Sequence, residues 1–273
     1  SEHLPKARHQ EPRDARRPSC PGPGDRPSLS LPARAPPLPT DPRITDKARK
    51  LDRIAFEEML ELASVGAKVL QTRSVGLAMR ENMPIRVLSS FDDRPGTMVV
   101  GDEAIEEYQM ERQIITGIAY DKNEARVTLV GVPDRPGAVA AVFAPLAAGS
   151  INVDMIVQSV PRAGQKSDLT FTVPTASLAQ SRDILDKARE AVGFDEILTD
   201  TNVVKVSAVG VGMRSNAGIA ATMFQTLADR GINILAITTS EIKVSVLIAE
   251  EYTELAVRVL HTAYGLDDLG EGE

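Results

Sequence analysis

The feature that most constrains this chain is an internal repeat with a period of about 80 residues. The text that runs from Arg126 through Asp134 to Gly137 reappears from Lys205 onward. Beyond the shared glycine, matching residues keep one offset, as Gly137 does with Gly218. Two copies of a unit this long indicate a pair of small modules rather than the many short units of a solenoid.

Each copy carries the same predicted order of elements. Alternating apolar residues predict strands, and apolar residues spaced three and four apart predict helices. The first copy also has a closing strand, so its order is β-α-β-β-α-β, the ferredoxin-like unit. We therefore expect an α+β fold with two ferredoxin-like modules in tandem, at 121–200 and at 112–120 plus 201–266. The predicted elements are 127–132, 138–148, 151–157, 168–173, 177–190 and 196–199 in the first copy, and 204–209, 219–230, 233–239, 243–249 and 253–261 in the second.

The second copy lacks a closing strand of its own. Its last residues, 266–273, are acidic and contain glycine, a composition that disfavours a strand. The Ile-rich run 114–120 precedes the first copy and has no evident role there. Because an unpaired sheet edge exposes a row of N–H and C=O groups, we expect 114–120 to complete the second sheet. The first module is then an insertion within the second.

The N-terminal region has a different composition. Residues 1–39 hold ten of the eighteen prolines and neither Val nor Ile, so they offer too little apolar surface to offset the entropy of ordering. We expect this region to be disordered. A basic, Pro-rich docking tail is one interpretation. The favoured one is a non-native segment, such as a GC-rich gene read in the wrong frame.

Residues 40–100 have the pattern of a separate folded region. Apolar positions at helical spacing between 48 and 80 predict two helices divided near 64–66, and 84–88 has the pattern of a short strand. The acidic stretch 101–111 is expected to link this region to the repeat.

Composition argues against several classes of function. A net charge of −7 and the absence of Trp disfavour a nucleic-acid surface. The one cysteine, Cys20, excludes an internal disulfide, and His3, His9 and His261 share no spacing typical of zinc ligands. We expect His261 to lie at the surface or boundary of the last helix. No run approaches the roughly 20 apolar residues of a membrane span, so we expect a cytoplasmic protein whose partners are small molecules or proteins.

The loop from Asp134 to Gly137 ends a predicted strand and begins a helix. Free N–H groups in the first helical turn favour a carboxylate ligand, although Gly and Pro suit an ordinary turn equally well. Asn152 and Asp154 on the adjacent strand favour a ligand site, since Asp154 can receive an ammonium group and Asn152 can both donate and accept. Gln158 is expected on the same face of that strand as Asn152.

Several stretches together resemble the aspartate kinase family and the ACT-type regulatory domains that it carries. The order and spacing of these stretches are consistent from about residue 40 to residue 266. They are Thr40–Ile44, Phe56–Met59, Gly66–Leu70, Gly131–Gly137, Ile151–Asp154 and Thr238–Ile242.

The resemblance implies an activity. The family phosphorylates the side chain of L-aspartate with ATP and Mg, which begins lysine, threonine and methionine synthesis. It also implies that residues 40–100 are a helical, C-terminal remnant of an amino-acid-kinase α/β domain. Thr40, Asp41, Arg43 and Lys68 match residues near the family's nucleotide, although such side chains on their own are usually solvated surface.

The resemblance further implies that effector amino acids bind between ACT modules. Ordinary helix packing accounts equally well for the match at Ile219 and Ala220, and a solvated edge charge for the match at Glu241. The implied effector residues are Asp134, Gly137, Ala138, Asn152, Val153, Asp154 and Gln158 in the first module and Ile219, Ala220, Asn233, Ile234, Ser240 and Glu241 in the second.

The chain also departs from the family. The family's phosphate- and aspartate-binding residues precede the text that begins at Thr40, and residues 1–39 do not contain them. Because phosphoryl transfer depends on positioning and charge neutralisation, we expect no catalytic residue here, no activity of the chain alone, and no ATP use by it.

We expect instead a sensor of lysine, threonine or both. It would form a homodimer through its ACT modules or associate with a full-length kinase subunit. A non-catalytic, β-type regulatory subunit is an alternative, as is a kinase that meets its missing half in trans.

Overall fold

A computed structural model describes residues 29–33, 37–48, 50–64, 70–91, 95–101, 104–105, 114–159, 166–211, 213, 216 and 218–267. Within these ranges, no helix is both long enough and apolar enough to cross a membrane. The strands are β1 (Leu29–Ala33), β2 (Arg53–Ala55), β3 (Ile85–Ser89), β4 (Thr97–Val100), β5 (Gly117–Asp121), β6 (Ala125–Pro133), β7 (Asp154–Gln158), β8 (Lys166–Val173), β9 (Glu196–Asp200), β10 (Val203–Val209), β11 (Ala236–Thr239) and β12 (Lys243–Ala249). The helices are α1 (Phe56–Ser64), α2 (Thr72–Arg80), α3 (Ala138–Ala148), α4 (Leu178–Val192), α5 (Gly218–Ala228) and α6 (Thr253–Ala263).

Module one is an antiparallel sheet in the order β7-β8-β6-β9, and its apolar core lies against α3 and α4. This strand order is that of the ferredoxin-like unit. A bulge in β6 falls between Leu129 and Val132, where Gly131 has φ +72°. Most residues disfavour this left-handed conformation, and a Cβ at Gly131 would also meet the Asp195 carboxylate.

Module two is an antiparallel sheet in the order β11-β12-β10-β5, with α5 and α6 on one face. Strand β5 comes from the run before module one and pairs with β10 from Lys205↔Asp121 to Val209↔Gly117. The prediction that this run completes the second sheet is confirmed. The boundaries predicted for the two modules stay a prediction.

Strand β10 is buried along its whole length. One face carries Val204, Val206 and Ala208, which pack against α5 and α6. The other face carries Lys205 and Ser207, which a sheet open to water on that side would expose. Something therefore covers the second face of module two, and two different parts of the chain do so.

Strands β1 to β4 form a third sheet, in the order β1-β3-β4-β2, with α1 and α2 packed on its core. We call these four strands and two helices the remnant, after the resemblance described above. The prediction of disorder is wrong for 29–33, which pair in parallel with β3 as an edge strand. Apolar and polar residues alternate at the start of this run, and an edge strand tolerates Pro32 because one side needs no N–H donor. The rest of the prediction for 1–28 and 34–36 lies outside the described residues.

Candidate functional site

The second face of module two brings together a buried lysine and two carboxylates from outside the module. The Lys205 ammonium pairs with Glu124 and, at 2.8 Å, with Oδ2 of Asp154. Glu124 lies between β5 and β6, and Asp154 begins β7. We call these three residues the ion triad. The side chains of Lys205 and Glu124 are 9% and 6% exposed, whereas that of Asp154 is 57% exposed.

The surroundings of Asp154 and Lys205 favour the charged form of each. Burial alone would raise the pKa of the Asp154 carboxyl, but hydrogen bonds from Lys205 and from the Met155 N–H hold that pKa below its ordinary value. Burial would likewise lower the pKa of Lys205, but hydrogen bonds to Asp154 and Glu124 hold it above its ordinary value. The Asp154–Lys205 ion pair therefore links module one to module two.

An apolar contact lies beside the ion triad. Met155 of β7 is 2% exposed and packs on Val203, Ala236 and Leu247 of module two. Its φ of +47° is unusual for a residue with a side chain, and the preceding Asp154 carboxylate accepts the Met155 N–H at 2.8 Å. The turn that buries Met155 thus also fixes the Asp154 carboxylate.

The remnant covers the other end of the same sheet face. Leu62 of α1 lies in one apolar cluster with Ala119 and Val209 of module two. Nearby, Lys243 of β12 pairs with Glu61 at 2.7 Å. A Cβ at Gly210 would stand 2.1 Å from the Ile114 carbonyl oxygen, so the backbones approach here as only glycine permits.

Glu58 is fully buried at this junction. Its Oε2 accepts the Ala55 N–H at 3.0 Å, the backward bond of a capping box at the start of α1. Its Oε1 accepts the Val211 N–H at 2.9 Å and the Thr116 hydroxyl, both from module two. One carboxylate therefore caps the start of α1 and also binds backbone and side-chain donors of module two next to β5 and β10.

Residues 37–47, which we call the strap, run along the outer edge of module two. The Pro39 carbonyl accepts the Ile118 N–H of β5 at 2.6 Å, which covers an edge strand. The prediction of disorder is therefore also wrong for 37–39. Tyr120 donates to Oδ2 of Asp41 at 3.0 Å, and Arg43 pairs with the same carboxylate at 2.7 Å.

Thr40 and His261 meet inside the contact between the strap and α6. The Thr40 hydroxyl lies 2.6 Å from Nδ1 of His261, and both residues are buried. The expectation that His261 lies at the surface is wrong, because the strap covers the end of α6. Burial lowers the pKa of His261. The nearby Asp267 carboxylate acts to raise this pKa, and the Lys47 charge acts to lower it further.

The predicted nucleotide residues are thus placed on module two. Thr40 is turned inward and Asp41 is engaged by Arg43 and Tyr120, which leaves the outer face of Arg43 as the accessible group. Lys68 lies outside the described residues.

The structure separates the predicted effector residues of module one. Asp154 pairs with Thr172 of β8, whereas Pro133, which precedes the Asp134–Gly137 loop, pairs with Lys166, six residues away or about 20 Å. Within module one of this chain, the loop and Asp154 therefore do not share a pocket, and their roles in effector binding stay predictions. Since β6 and β7 flank a helical crossover and run parallel, the loop after β6 and the start of β7 lie at opposite ends of the sheet.

The two groups have different surroundings. At the loop end, Asp134 and Gly137 are exposed and Ala138 is buried in the core. At the start of β7, Asn152 is exposed beside Asp154, and Val153 packs on the core. Gln158, at the far end of β7, donates to the Ser167 hydroxyl at 3.3 Å.

The predicted residues of module two fall into three places. Ile219 and Ala220 pack in the core of module two, which favours the ordinary packing interpretation of these two residues. Asn233 and Ile234 directly precede Leu235 and Ala236, which contact Met155. In the third place, Ser240 and Glu241 form the exposed turn between β11 and β12, on the side of the sheet near the remnant.

Sequence reasoning missed Glu58, Glu124 and Lys205. Lys205 and Ser207 alternate with Val204, Val206 and Ala208, which is the pattern of a strand with one solvated face, so the local sequence does not mark Lys205 as buried. Glu58 and Glu124 lie among other acidic residues, and nothing in their local sequence marks them as buried.

Comparison with known proteins agrees with this architecture. Models of the ACT domain match residues 126–192 and 206–264, so the two modules are ACT domains. Aspartokinase of Pseudomonas aeruginosa is 52% identical over 228 residues, which cover 84% of this chain and 55% of that protein. A structure of aspartokinase alpha and beta subunits matches with 51% identity and a TM-score of 0.52, over 55% of this chain and 98% of that one.

A further match is aspartokinase III of Escherichia coli, solved with lysine and aspartate in its T-state. It is 26% identical, with a TM-score of 0.69 over 87% of this chain and 52% of that one. The chain belongs to the aspartokinase family and contains its ACT regulatory region. It spans about half the length of the curated relatives it matches.

Proposed function

We propose that this chain is the amino-acid-sensing region of an aspartokinase, and that an effector binds beside Asp154 where the two modules meet. The observation that carries the proposal is a half-exposed carboxylate held by a buried lysine of the other module. A carboxylate in this setting favours an ammonium ligand, and the exposed Asn152 offers a donor and an acceptor to the rest of an amino acid. Asn233 and Ile234 of module two directly precede Leu235 and Ala236, which belong to the apolar cluster that contains Met155.

The Asp134–Gly137 loop would belong to a separate pocket. It lies at the other end of module one, where the start of α3 favours a carboxylate. We propose that a second copy of the chain completes this pocket, which agrees with an expected homodimer through the ACT modules. Size-exclusion chromatography with light scattering tests the dimer.

Calorimetry with L-lysine and with L-threonine tests the site at Asp154. Asp154→Asn should weaken binding by about 10-fold or more, because it removes the charge that pairs with an ammonium group. Asp183→Asn, at an exposed position of α4 that belongs to neither proposed pocket, is the matched control and should leave that affinity unchanged. Absence of binding by the unaltered chain, or equal effects of the two substitutions, would refute the assignment.

We also propose that the chain alone does not transfer phosphate from ATP to aspartate. Support comes from the strap, where Thr40 faces His261 and Asp41 is held by Arg43 and Tyr120. These contacts hold the strap against module two and leave few of its side chains available to bind ATP. The assay is ATP- and aspartate-dependent turnover in the presence of Mg, with and without a full-length aspartokinase. Turnover proportional to the concentration of this chain would disprove the proposal.

A second candidate is a β-type regulatory subunit. The observation in its favour is the match to a chain from the structure of aspartokinase alpha and beta subunits, of which 98% is covered. Such a subunit would bind a catalytic chain and change its response to amino acids. Co-purification with a full-length aspartokinase, followed by inhibition assays of the complex, distinguishes the two candidates.

A further inference from the structure

The Asp154 carboxylate, proposed above to receive an effector ammonium, already binds an ammonium in this structure. That group is the side chain of Lys205, 2.8 Å from Oδ2 of Asp154. Oδ1 of the same carboxylate accepts the Met155 N–H. A ligand cation at Asp154 would therefore meet a competitor that is covalently part of module two.

The two carboxylates of the ion triad differ in a way that permits exchange. Glu124 is buried with Lys205, whereas the Asp154 side chain is more than half exposed. A buried lysine left without a counter-ion is strongly disfavoured. If a ligand binds Asp154, Lys205 remains paired with Glu124, so the buried lysine still has a counter-ion.

We propose that Lys205 is a positioning residue that competes with the effector ammonium for Asp154, with Glu124 as its permanent counter-ion. This inference rests on the proposed effector site. Binding of an effector weakens the Asp154–Lys205 pair, which is one of the links between β7 and β10. Occupancy of an exposed site on module one is thereby transmitted to a buried strand of module two.

The proposal makes two predictions of opposite sign. Lys205→Met removes the competitor, so L-lysine or L-threonine, whichever the unaltered chain binds, should bind about 3- to 10-fold more tightly, the size expected of one partly exposed ion pair. Glu124→Gln removes the permanent counter-ion and leaves Lys205 more dependent on Asp154. Binding to this variant should be about 3- to 10-fold weaker.

Calorimetry on the full chain measures both effects, with Lys122→Met as the control. Lys122 pairs with Glu250 at the surface, and its loss should leave the affinity unchanged. A purely structural role of Lys205 would weaken binding in both triad variants. Where Lys205→Met does not fold, Lys205→Gln, which also removes the charge but keeps a hydrogen-bond donor for Glu124, takes its place, and tighter binding is again the result that supports competition.

The failures are distinguishable. If the unaltered chain binds neither amino acid, the proposed function and this inference are both overturned. If the unaltered chain binds and Asp154→Asn weakens binding, but Lys205→Met leaves affinity unchanged or lower, only the role of Lys205 is overturned. Unchanged affinity of a folded Glu124→Gln variant would likewise overturn only the role of Lys205.

Discussion

Replacing Glu58 by glutamine isolates the contribution of the junction between the remnant and module two. The substitution keeps the size of the side chain and removes its charge. Glu58 is fully buried and accepts from Ala55, Val211 and Thr116. Three donors converge on two oxygens, so a glutamine amide must turn its NH₂ group toward at least one of them.

The expected loss follows from these contacts. One donor left without an acceptor costs about 1–3 kcal/mol, and the remaining bonds lose the additional strength that a charged acceptor gives. We expect the free energy of unfolding of Glu58→Gln to fall by about 2–4 kcal/mol. Urea denaturation followed by circular dichroism measures this change, and hydrogen exchange should show faster exchange of the Val211 amide.

The control lies on the same helix. Glu61 pairs with Lys243 in a partly exposed setting, so Glu61→Gln should cost less than about 1 kcal/mol. If Glu58→Gln costs no more than Glu61→Gln, the junction does not depend on the buried carboxylate and the reasoning is wrong.

Three further predictions concern other parts of the fold. Burial lowers the pKa of His261 below its value in the unfolded chain. The free energy of unfolding should therefore be highest above about pH 6.5 and fall as the pH decreases through the folded pKa. His261→Asn should remove this dependence, as measured by urea midpoints from about pH 5 to 8. Gly131→Ala should lower the melting temperature through a strain of about 1–2 kcal/mol, while Gly76→Ala in α2, with open space around it, should raise stability by about 0.5–1 kcal/mol. Met155→Ala should cost about 2–4 kcal/mol in urea, whereas the exposed neighbour Ile156→Ala should cost less than about 1 kcal/mol; equal costs would contradict the buried contact.

The repeat made much of the fold predictable from sequence. It gave the element order of both modules, and the missing strand of the second could be assigned to the run that contains β5 because an open sheet edge is unfavourable. Disorder was expected for β1 and for residues 37–39 of the strap because a composition rule averages over a region. It does not detect a short segment, such as Leu29–Ala33, that gains order by pairing with another part of the chain.

The candidate site was less accessible to sequence reasoning. A motif that resembles a family pattern shows which residues belong together in function, but not which of them meet within one chain. The Asp134–Gly137 loop and Asp154 illustrate the difference. Strands β6 and β7 run parallel and are joined through α3, so the end of β6 and the start of β7 lie at opposite ends of one sheet. Lys205 was missed because its two partners come from outside module two, and such contacts have no local signature.

Strand β10 links the two contact regions physically. Near its start, Val203 packs on Met155 and Lys205 belongs to the ion triad. At its end, Val209 packs with Leu62 of the remnant. The strand is buried on both faces and hydrogen-bonded on both sides, so it cannot bend easily between them. If the effector competes with Lys205 for Asp154 as proposed, we expect the change in the contacts of Lys205 to reach the remnant as a displacement of the strand. Such coupling requires that the effector bind one arrangement of the strand more tightly than another, and the proposed competition would supply that difference in affinity.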